Sequence, residues 1–299
     1  MSKKLYDQFT FTLCGLLGCR SGTEDSEMTE TQTSTIDVVF TYAVDTGEMI
    51  VNETMGPGDM GRKRTGVVEE KTMPVRDGRP LRETFDIETH GFEFVDHPTK
   101  MVDFFDEAEL KSVYYTEVEE LVKQRTGAYR VHVFDHTLRS GDEDFRNENL
   151  VREPVARVHN DYTEWSGPNR VRDLLPDEAE DLLKRRFAIV QVWRAIRNPI
   201  ESDPLGICDA RSLAEKDLVI SERRYPDRIG QTYQIAYNPD HDWYYFPRMA
   251  RDEAMVFKVF DSATDGRSRF TAHSAFADPN SPPNAAPRES IEMRTIAFF

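Results

Sequence analysis

The chain has 299 residues, of which 38% are hydrophobic, and its formal net charge is −16 at pH 7. This length suits one large domain or two modest ones and provides enough apolar material for a core. The acidic balance argues against a nucleic-acid partner, because proteins that bind the phosphate backbone concentrate positive charge. No segment is long and apolar enough for a transmembrane span, so no membrane partner is expected.

Residues 1–34 are predicted to be disordered or an extra segment before the domain. Their apolar run FTFTLCGLLGC resembles a bacterial lipoprotein signal. The alternative is an extended or misassigned start, because a low-complexity stretch follows and Met28 could open an ordinary cytosolic chain. The three cysteines, Cys14, Cys19 and Cys208, have no repeated spacing, so we expect a reducing compartment and a cytoplasmic location.

The next segments predict a mixture of strands and helices. IDVVFTYA alternates as the first strand, whereas residues 55–82 are rich in glycine, proline and charge and are expected to be loop. Residues 103–125 place apolar side chains along one face, which predicts a helix. RVHVFDHTLR, residues 130–139, alternates as a strand, and residues 176–187 predict a second helix with a proline in its first turn.

The rest of the chain is a succession of short strand candidates. They are FAIVQVWRAI, LVISERRY, TYQIAYN, WYYFPRM, AMVFKVFDS, RFTAHSAF and SIEMRTIAF. Short strands at roughly regular spacing, separated by turn residues, indicate an all-β sandwich or barrel rather than alternating βαβ units. We therefore predict one mainly β domain with flanking helices over residues 35–299.

A histidine and an aspartate two residues apart suggest half of a metal site. His159 and Asp161 in RVHNDYTEW share one face of a strand, because side chains alternate along it. Asn160 points away and is expected to be a packing residue. The third ligand has to come from a distant part of the chain, and His273, in a late strand, is the best candidate. Two histidines and one carboxylate leave three open positions on a metal, as in non-heme Fe(II) oxygenases.

The open positions suit a bidentate 2-oxo acid and dioxygen, and the 2-oxo acid needs an anchor for its distal carboxylate. A guanidinium offers a planar fork and a permanent charge. Arg288 follows His273 by fifteen residues and Ser290 shares its strand face, so both are predicted to bind the co-substrate. Arg194, a charge inside an apolar strand, either binds the co-substrate or an anionic substrate group, or forms a salt bridge with an acid.

Other polar side chains are weaker candidates. The aspartate and first histidine of HVFDH, residues 132–136, face opposite sides of a strand, so a structural or substrate-lining role is expected there rather than metal binding. His241 stands between two aspartates beside a turn, where a surface or supporting role is usual. Asp209 and Arg211 either pair with each other or shape the mouth of the site.

Six segments together resemble a known enzyme family: VHNDYT, VWRAI, CDARSL, NPDHDWYYFPRM, FKVFDS and RESIEMR. They are similar to the cephamycin methoxylase component and its fungal hydroxylase/desaturase relatives, which are Fe(II)/2-oxoglutarate-dependent oxygenases. The resemblance covers about residues 37–299 and implies a double-stranded β-helix core (jelly roll, cupin-like) from about residue 130. The site that it implies has iron at His159, Asp161 and His273, and 2-oxoglutarate at Arg288, assisted by Ser290.

The resemblance implies oxidation of a small-molecule secondary metabolite. Decarboxylation of 2-oxoglutarate to succinate, with dioxygen, supplies the oxidant that removes a substrate hydrogen, and hydroxylation or desaturation follows. Because Asp161 is present, halogenation is disfavoured. Two alternatives stay open: an oxygenase that uses the same triad without 2-oxoglutarate, and a non-catalytic partner subunit of a biosynthetic enzyme. The substrate and the oligomeric state, including a homo-oligomer, are also open.

Overall fold

Two β-sheets organise the computed structural model, which describes residues 33–53, 63–143, 152–197, 199–226 and 228–299. Thr33–Phe299 pack as one unit. Almost all of the predicted N-terminal segment, including its apolar run, lies outside the described residues. The strands are β1 (Thr35–Val44), β2 (Ile50–Glu53), β3 (Lys63–Arg64), β4 (Val67–Asp77), β5 (Phe92–Asp96), β6 (Arg130–Ser140), β7 (His159–Asn160), β8 (Phe187–Ala195), β9 (Leu205–Cys208), β10 (Leu218–Arg224), β11 (Ile229–Ile235), β12 (Trp243–Tyr245), β13 (Glu253–Asp261), β14 (His273–Ala275) and β15 (Glu289–Phe298).

The two sheets pack face to face as a double-stranded β-helix, which is the predicted fold. The larger sheet has the order β1-β4-β12-β9-β14-β7-β11-β10-β2-β3, and the smaller sheet has the order β5-β13-β8-β15-β6. All four pairings in the smaller sheet are antiparallel. Apolar side chains from both sheets fill the space between them, among them Trp193, Ile207, Tyr244, Phe257 and Ile296. Burial of these side chains is what holds the sheets together.

A helical segment covers the outer face of the smaller sheet, as the apolar spacing predicts. It consists of α1 (Glu107–Glu109), a π-helical turn (Leu110–Tyr114) and α2 (Tyr115–Thr126), and it ends at Gly127, whose φ of 73° suits the left-handed cap. Buried residues of α2 join a core cluster with residues of β8 and β15. Within the ranges that the structure describes, no helix combines the length and apolar content needed to cross a membrane.

Two local predictions are wrong. Residues 55–82 include β4, which pairs with β1 along its length; its outward face is polar and exposed, so the charges belong to a solvated strand face rather than to a loop. Of the helix predicted at residues 176–187, only α4 (Ala179–Leu182) forms. An unpredicted helix, α3 (Ser166–Leu174), precedes it. Its early Gly167 lies against Phe260, where an added β-carbon would be 2.9 Å from the ring.

Candidate metal centre and its two cavities

The structure brings His159, Asp161 and His273 together. The short strands β7 and β14 pair antiparallel so that His273 lies directly opposite His159, with ring centroids 4.3 Å apart. Asp161 follows β7 immediately, and its Oδ1 lies 3.6 Å from His159 Nε2. One nitrogen or oxygen atom from each of the three side chains lies within 4.8 Å of those of the other two. This spacing suits a single metal ion.

Both imidazoles are oriented by backbone carbonyls. Nδ1 of His159 lies 2.8 Å from the carbonyl oxygen of Arg157, and Nδ1 of His273 lies 3.1 Å from that of Thr271. Since a carbonyl only accepts, each Nδ1 carries a proton, and in the neutral ring Nε2 is then the nitrogen with the free lone pair. His273 Nε2 is buried and has no hydrogen-bond partner in the described part of the chain. Burial and the neighbouring His273 lower the pKa of His159 to about 3, so its ring is neutral.

Two side chains from the smaller sheet hold the carboxylate of Asp161. Gln191 Nε2 donates a hydrogen bond of 2.6 Å to Oδ2, and Arg294 Nε lies 3.5 Å from the same oxygen. Gln191 and Arg294 are register partners across β8 and β15, which explains why both reach one atom. Burial opposes ionisation of Asp161, but the charge of Arg294 outweighs it and keeps the pKa of the carboxyl well below its ordinary value. Oδ2 is therefore held while Oδ1 faces the histidines.

Asn160 has a larger role than the packing role expected from the sequence. It is fully buried, and its Nδ2 donates to the carbonyl oxygens of Tyr162 at 2.7 Å and Val259 at 2.9 Å. Its Oδ1 accepts from the backbone N–H of Thr271 at 3.1 Å. Tyr162 follows Asp161 in the chain and Thr271 precedes His273 by two residues, so Asn160 ties together the segments that carry two of the three candidate ligands.

A narrow cavity extends from the two histidines to Arg288. Its lining also includes Trp193, Arg139 and Glu292. Arg288 Nη1 donates to the carbonyl oxygen of Asp203 at 2.7 Å, but its Nε is buried without a hydrogen-bond partner among the described residues, as is Ser290 Oγ. Burial, together with the nearby Arg139, lowers the pKa of Arg288 to about 9. Both groups predicted to bind the co-substrate thus have unused hydrogen-bonding capacity.

The structure does not bring Arg194 to this site. Its guanidinium donates to the carbonyl oxygens of His97 at 3.0 Å and Arg251 at 3.3 Å and lies over the ring of Tyr114, 5.0 Å from its centroid. Trp193 next to it lines the cavity, so alternation along β8 turns Arg194 toward the helical layer. Its partners are these two carbonyls, the imidazole of His97 and the ring of Tyr114, and no acidic side chain pairs with it within the described ranges.

The residues of HVFDH do not form one cluster. His136 Nδ1 lies 2.9 Å from the hydroxyl of Tyr115, whereas Asp135 pairs with Arg294 at 3.1 Å. Asp135 lines a second cavity, described below. The position of Asp135 is compatible with the predicted substrate-lining role. His136 contacts the helical segment instead.

Two further sequence candidates are accounted for by local pairs. His241 is buried, with Nε2 3.2 Å from Asp217 Oδ2, so of the surface and supporting roles expected for it, the surface position is wrong. Asp209 and Arg211 pair with each other at 2.6 Å, which is the simpler of the two interpretations of that segment. These groups stabilise the larger sheet.

A second, wider cavity of about 160 Å³ opens on the other side of the triad. Asp161 and Tyr162 line it, together with Arg294, whereas His159 and His273 line the narrow cavity. The three candidate ligands thus stand between two cavities. Sequence reasoning missed Gln191, Arg294 and Glu292, although alternation along RESIEMR places Glu292 and Arg294 on the same strand face as Arg288 and Ser290.

Two imidazoles and one carboxylate around a common point, in a double-stranded β-helix, define a non-heme Fe(II) oxygenase. The chain matches a family model described as Oxidoreductase/YMDC permease-like domain over residues 39–298. It is 34% identical to Hydroxylase/desaturase CTB9 of Cercospora beticola over 88% of this chain and 86% of that protein. It is 32% identical to the Fe(II)/2-oxoglutarate-dependent dioxygenase nvfI of Aspergillus novofumigatus over 74% of this chain and 81% of that protein.

A solved structure is similar as well. The iron and alpha-ketoglutarate-dependent endoperoxidase NvfI aligns with a TM-score of 0.77 and 28% identity, covering 88% of this chain and 98% of that chain. The chain therefore belongs to the family of Fe(II)/2-oxoglutarate-dependent hydroxylases, desaturases and dioxygenases. It is an oxidoreductase that uses Fe(II), 2-oxoglutarate and dioxygen, which confirms the family, the fold and the cofactors that the sequence predicts.

Proposed function

We propose that this enzyme hydroxylates or desaturates a small-molecule secondary metabolite, with His159, Asp161 and His273 binding Fe(II) and with Arg288 and Ser290 binding 2-oxoglutarate. The observation that carries the proposal is the pair of unsatisfied groups at the two ends of the narrow cavity. His273 Nε2 at one end and Arg288 Nε at the other are buried without partners in the described ranges, as is Ser290 Oγ on the same strand face as Arg288. A ligand with a metal-binding end and an anionic end satisfies both.

The residues fit Fe(II) by their donor chemistry. Two imidazole lone pairs and one carboxylate oxygen occupy one side of the ion and leave room for other ligands. When bound, iron supplies the activation of dioxygen that the oxidation requires. Gln191 and Arg294 hold the distal oxygen of Asp161 in place, and buried backbone carbonyls keep both imidazoles in the tautomer that can bind metal.

The remaining residues bind and shield the co-substrate. Arg288 presents a guanidinium that matches a carboxylate, and Ser290 adds a hydroxyl on the same strand face. Trp193 is 2% exposed and lies under Arg288, 5.5 Å from ring centroid to guanidinium carbon. This apolar surrounding strengthens the contact between Arg288 and an anion, because little water competes for the charge.

The names of the relatives indicate three candidate reaction outcomes. CTB9 is called a hydroxylase/desaturase and NvfI an endoperoxidase, so the mass of the product decides among gain of one oxygen atom, loss of two hydrogen atoms and gain of two oxygen atoms. A cytoplasmic location and a homo-oligomeric state are further proposals. The scarcity of cysteine supports the first, and cell fractionation and sedimentation velocity test the two.

Binding measurements test the assignments one residue at a time. His159→Ala, Asp161→Ala and His273→Ala should each weaken Co(II) or Fe(II) binding under anaerobic conditions and abolish succinate formation. Arg288→Met should weaken 2-oxoglutarate binding and leave metal affinity nearly unchanged. Arg172→Met, at an exposed position of α3, is the control and should behave as the unaltered protein.

Each contrary result removes one part of the proposal. Unchanged metal affinity in a triad variant removes that residue from the iron site, and unchanged 2-oxoglutarate affinity in Arg288→Met removes the anchor. An iron-loaded protein that oxidises its substrate without consuming 2-oxoglutarate would favour the alternative in which the triad works without this co-substrate. A protein that fails to bind iron after reconstitution would favour a non-catalytic partner.

A further inference from the structure

The wider cavity beside Asp161 is rich in arginine, in a protein that carries an excess of acid. The formal net charge of the chain is −16, yet the charged residues around this cavity are mostly cationic. The arginines that line it are Arg152, Arg170, Arg223, Arg228 and Arg294, and the acids are Asp135, Asp161 and Asp173. A local concentration of guanidinium groups against the overall charge indicates a ligand with negative charge.

Two of these arginines, Arg170 and Arg223, form no salt bridge with a protein carboxylate in the described part of the chain. Arg294 is engaged by Asp135 and Asp161, so it belongs to the support of the metal site. Arg170 lies over the ring of Phe134, 4.9 Å from its centroid, and its Nε is buried without a hydrogen-bond partner among the described residues. Arg223 forms no such salt bridge in the described ranges; it interacts with Asp161 through its charge and hydrogen bonds to the side chain of Tyr225.

The same cavity also presents apolar surface. Tyr162, Trp165, Tyr225 and Ile229 contribute to its lining. Trp165 is 49% exposed and Ile229 is 55% exposed, which is high for large apolar side chains and marks a surface that a ligand can cover. The cavity therefore combines apolar walls with guanidinium groups, as expected of a site for an amphipathic molecule.

We propose that the wider cavity binds the substrate and that the substrate is an organic acid with an apolar ring system, whose carboxylate is bound by Arg170 and Arg223. This inference rests on the proposed function, because the cavity faces the reaction only if Asp161 binds the iron. A guanidinium binds a carboxylate through two parallel hydrogen bonds, and a substrate without an acceptor here would leave the buried Arg170 Nε unsatisfied. The apolar walls hold the ring system beside Asp161.

Paired probes test the charge requirement. Each of naphthoate, cinnamate and cyclohexanecarboxylate is titrated beside its primary amide into the protein loaded with Fe(II) and saturating 2-oxoglutarate without oxygen, with binding followed by calorimetry. We expect at least one acid to bind about tenfold or more tightly than its amide. Arg170→Met and Arg223→Met should each remove most of that preference, and Arg170→Lys should retain part of it because the charge remains.

Matched controls lie next to both arginines. Arg172→Met, on the same helix, and Arg224→Met, on the same strand, remove guanidiniums that pair with Glu180 and Glu222, and neither should change the preference for acids.

The proposal is overturned if no acid binds more tightly than its amide. It is also overturned if the preference survives both Arg170→Met and Arg223→Met but disappears in Arg288→Met, because the acid would then occupy the co-substrate cavity. The visible absorption band of Fe(II) with 2-oxoglutarate, recorded in the same samples, separates these results from a failure of the proposed function, which would abolish the band.

Discussion

Gln191→Leu isolates the hydrogen bond that holds the distal oxygen of the metal-site carboxylate. Gln191 is fully buried in β8, and its Nε2 donates to Asp161 Oδ2 at 2.6 Å. Leucine has a similar volume and no donor, so the change removes the bond with little disturbance to packing. Arg294 Nε, 3.5 Å from the same oxygen, remains as the nearest cation and keeps Asp161 ionised.

The size of the effect follows from the charge of the acceptor. A hydrogen bond to an ionised group contributes about 1.5–3 kcal/mol, and about 1.4 kcal/mol corresponds to a tenfold change in affinity. If the bond serves to orient Asp161 for metal, its loss should weaken Fe(II) binding about 10- to 100-fold, the range found when an orienting partner of a metal ligand is removed. The free energy of unfolding without metal should fall by about 1.5–3 kcal/mol as well, because the buried Asp161 Oδ2 loses this hydrogen bond.

Anaerobic titration with Co(II) or Fe(II), combined with urea unfolding of the metal-free protein, measures both quantities. Gln124→Leu, at an exposed position of α2, is the control and should alter neither. The reasoning would be refuted if Gln191→Leu kept the metal affinity of the unaltered protein, or if the affinity fell only in step with a loss of folded protein.

Three further predictions concern stability and reactivity. Asn160→Ala should lower the free energy of unfolding by about 3 kcal/mol or more, because three hydrogen bonds to backbone groups are lost; a denaturant titration measures it, and a loss below about 1 kcal/mol would contradict the role of this side chain. The buried Lys258 Nζ lies 2.8 Å from the buried Asp261 Oδ2. Lys258→Met should destabilise by less than the roughly 3–5 kcal/mol of a broken buried pair, because Arg186 still pairs with Asp261 at 2.7 Å; unchanged stability would speak against a stabilising Lys258–Asp261 pair. Burial raises the pKa of the Cys208 thiol to about 12, so iodoacetamide at neutral pH should modify Cys208 only after unfolding, as peptide mass spectrometry would show.

Alternation along strands explains what the sequence could predict of the site. His159 and Asp161, and likewise Arg288 and Ser290, are two residues apart, so a period of two places each pair on one face whatever the rest of the fold does. His273 required an argument about topology, namely that a late strand returns to lie beside β7. The direct pairing of β7 with β14 satisfies that argument.

The side chains that support the triad could not be predicted in the same way. Gln191 and Arg294 are about a hundred residues apart in sequence, and only the register between β8 and β15 places them side by side at Asp161. Two of the three hydrogen bonds of Asn160 go to backbone groups of distant segments, at Val259 and Thr271, which no local pattern reports. Arg194 is the opposite case. Side chains alternate along β8, and that of Arg194 points away from the site.

The misassigned strand β4 has a different physical cause. Its charged residues lie on the solvent-facing side of an outer part of the larger sheet, where polar side chains cost nothing. Composition alone cannot separate such a strand from a loop, because both are hydrophilic. β4 is a strand because it pairs with β1, from Thr35 with Arg76 to Val44 with Val67. That partner supplies its hydrogen bonds and its buried face.

Anaerobic addition of 2-oxoglutarate to the Fe(II)-loaded protein, followed in the visible spectrum, tests the central claim most directly. The account predicts a weak visible band for the unaltered protein, the same band at higher 2-oxoglutarate concentration for Arg288→Met, and no band for His273→Ala. An unaltered protein that holds iron but shows no band, or a His273→Ala variant whose band is undiminished, would contradict the assignment of the site.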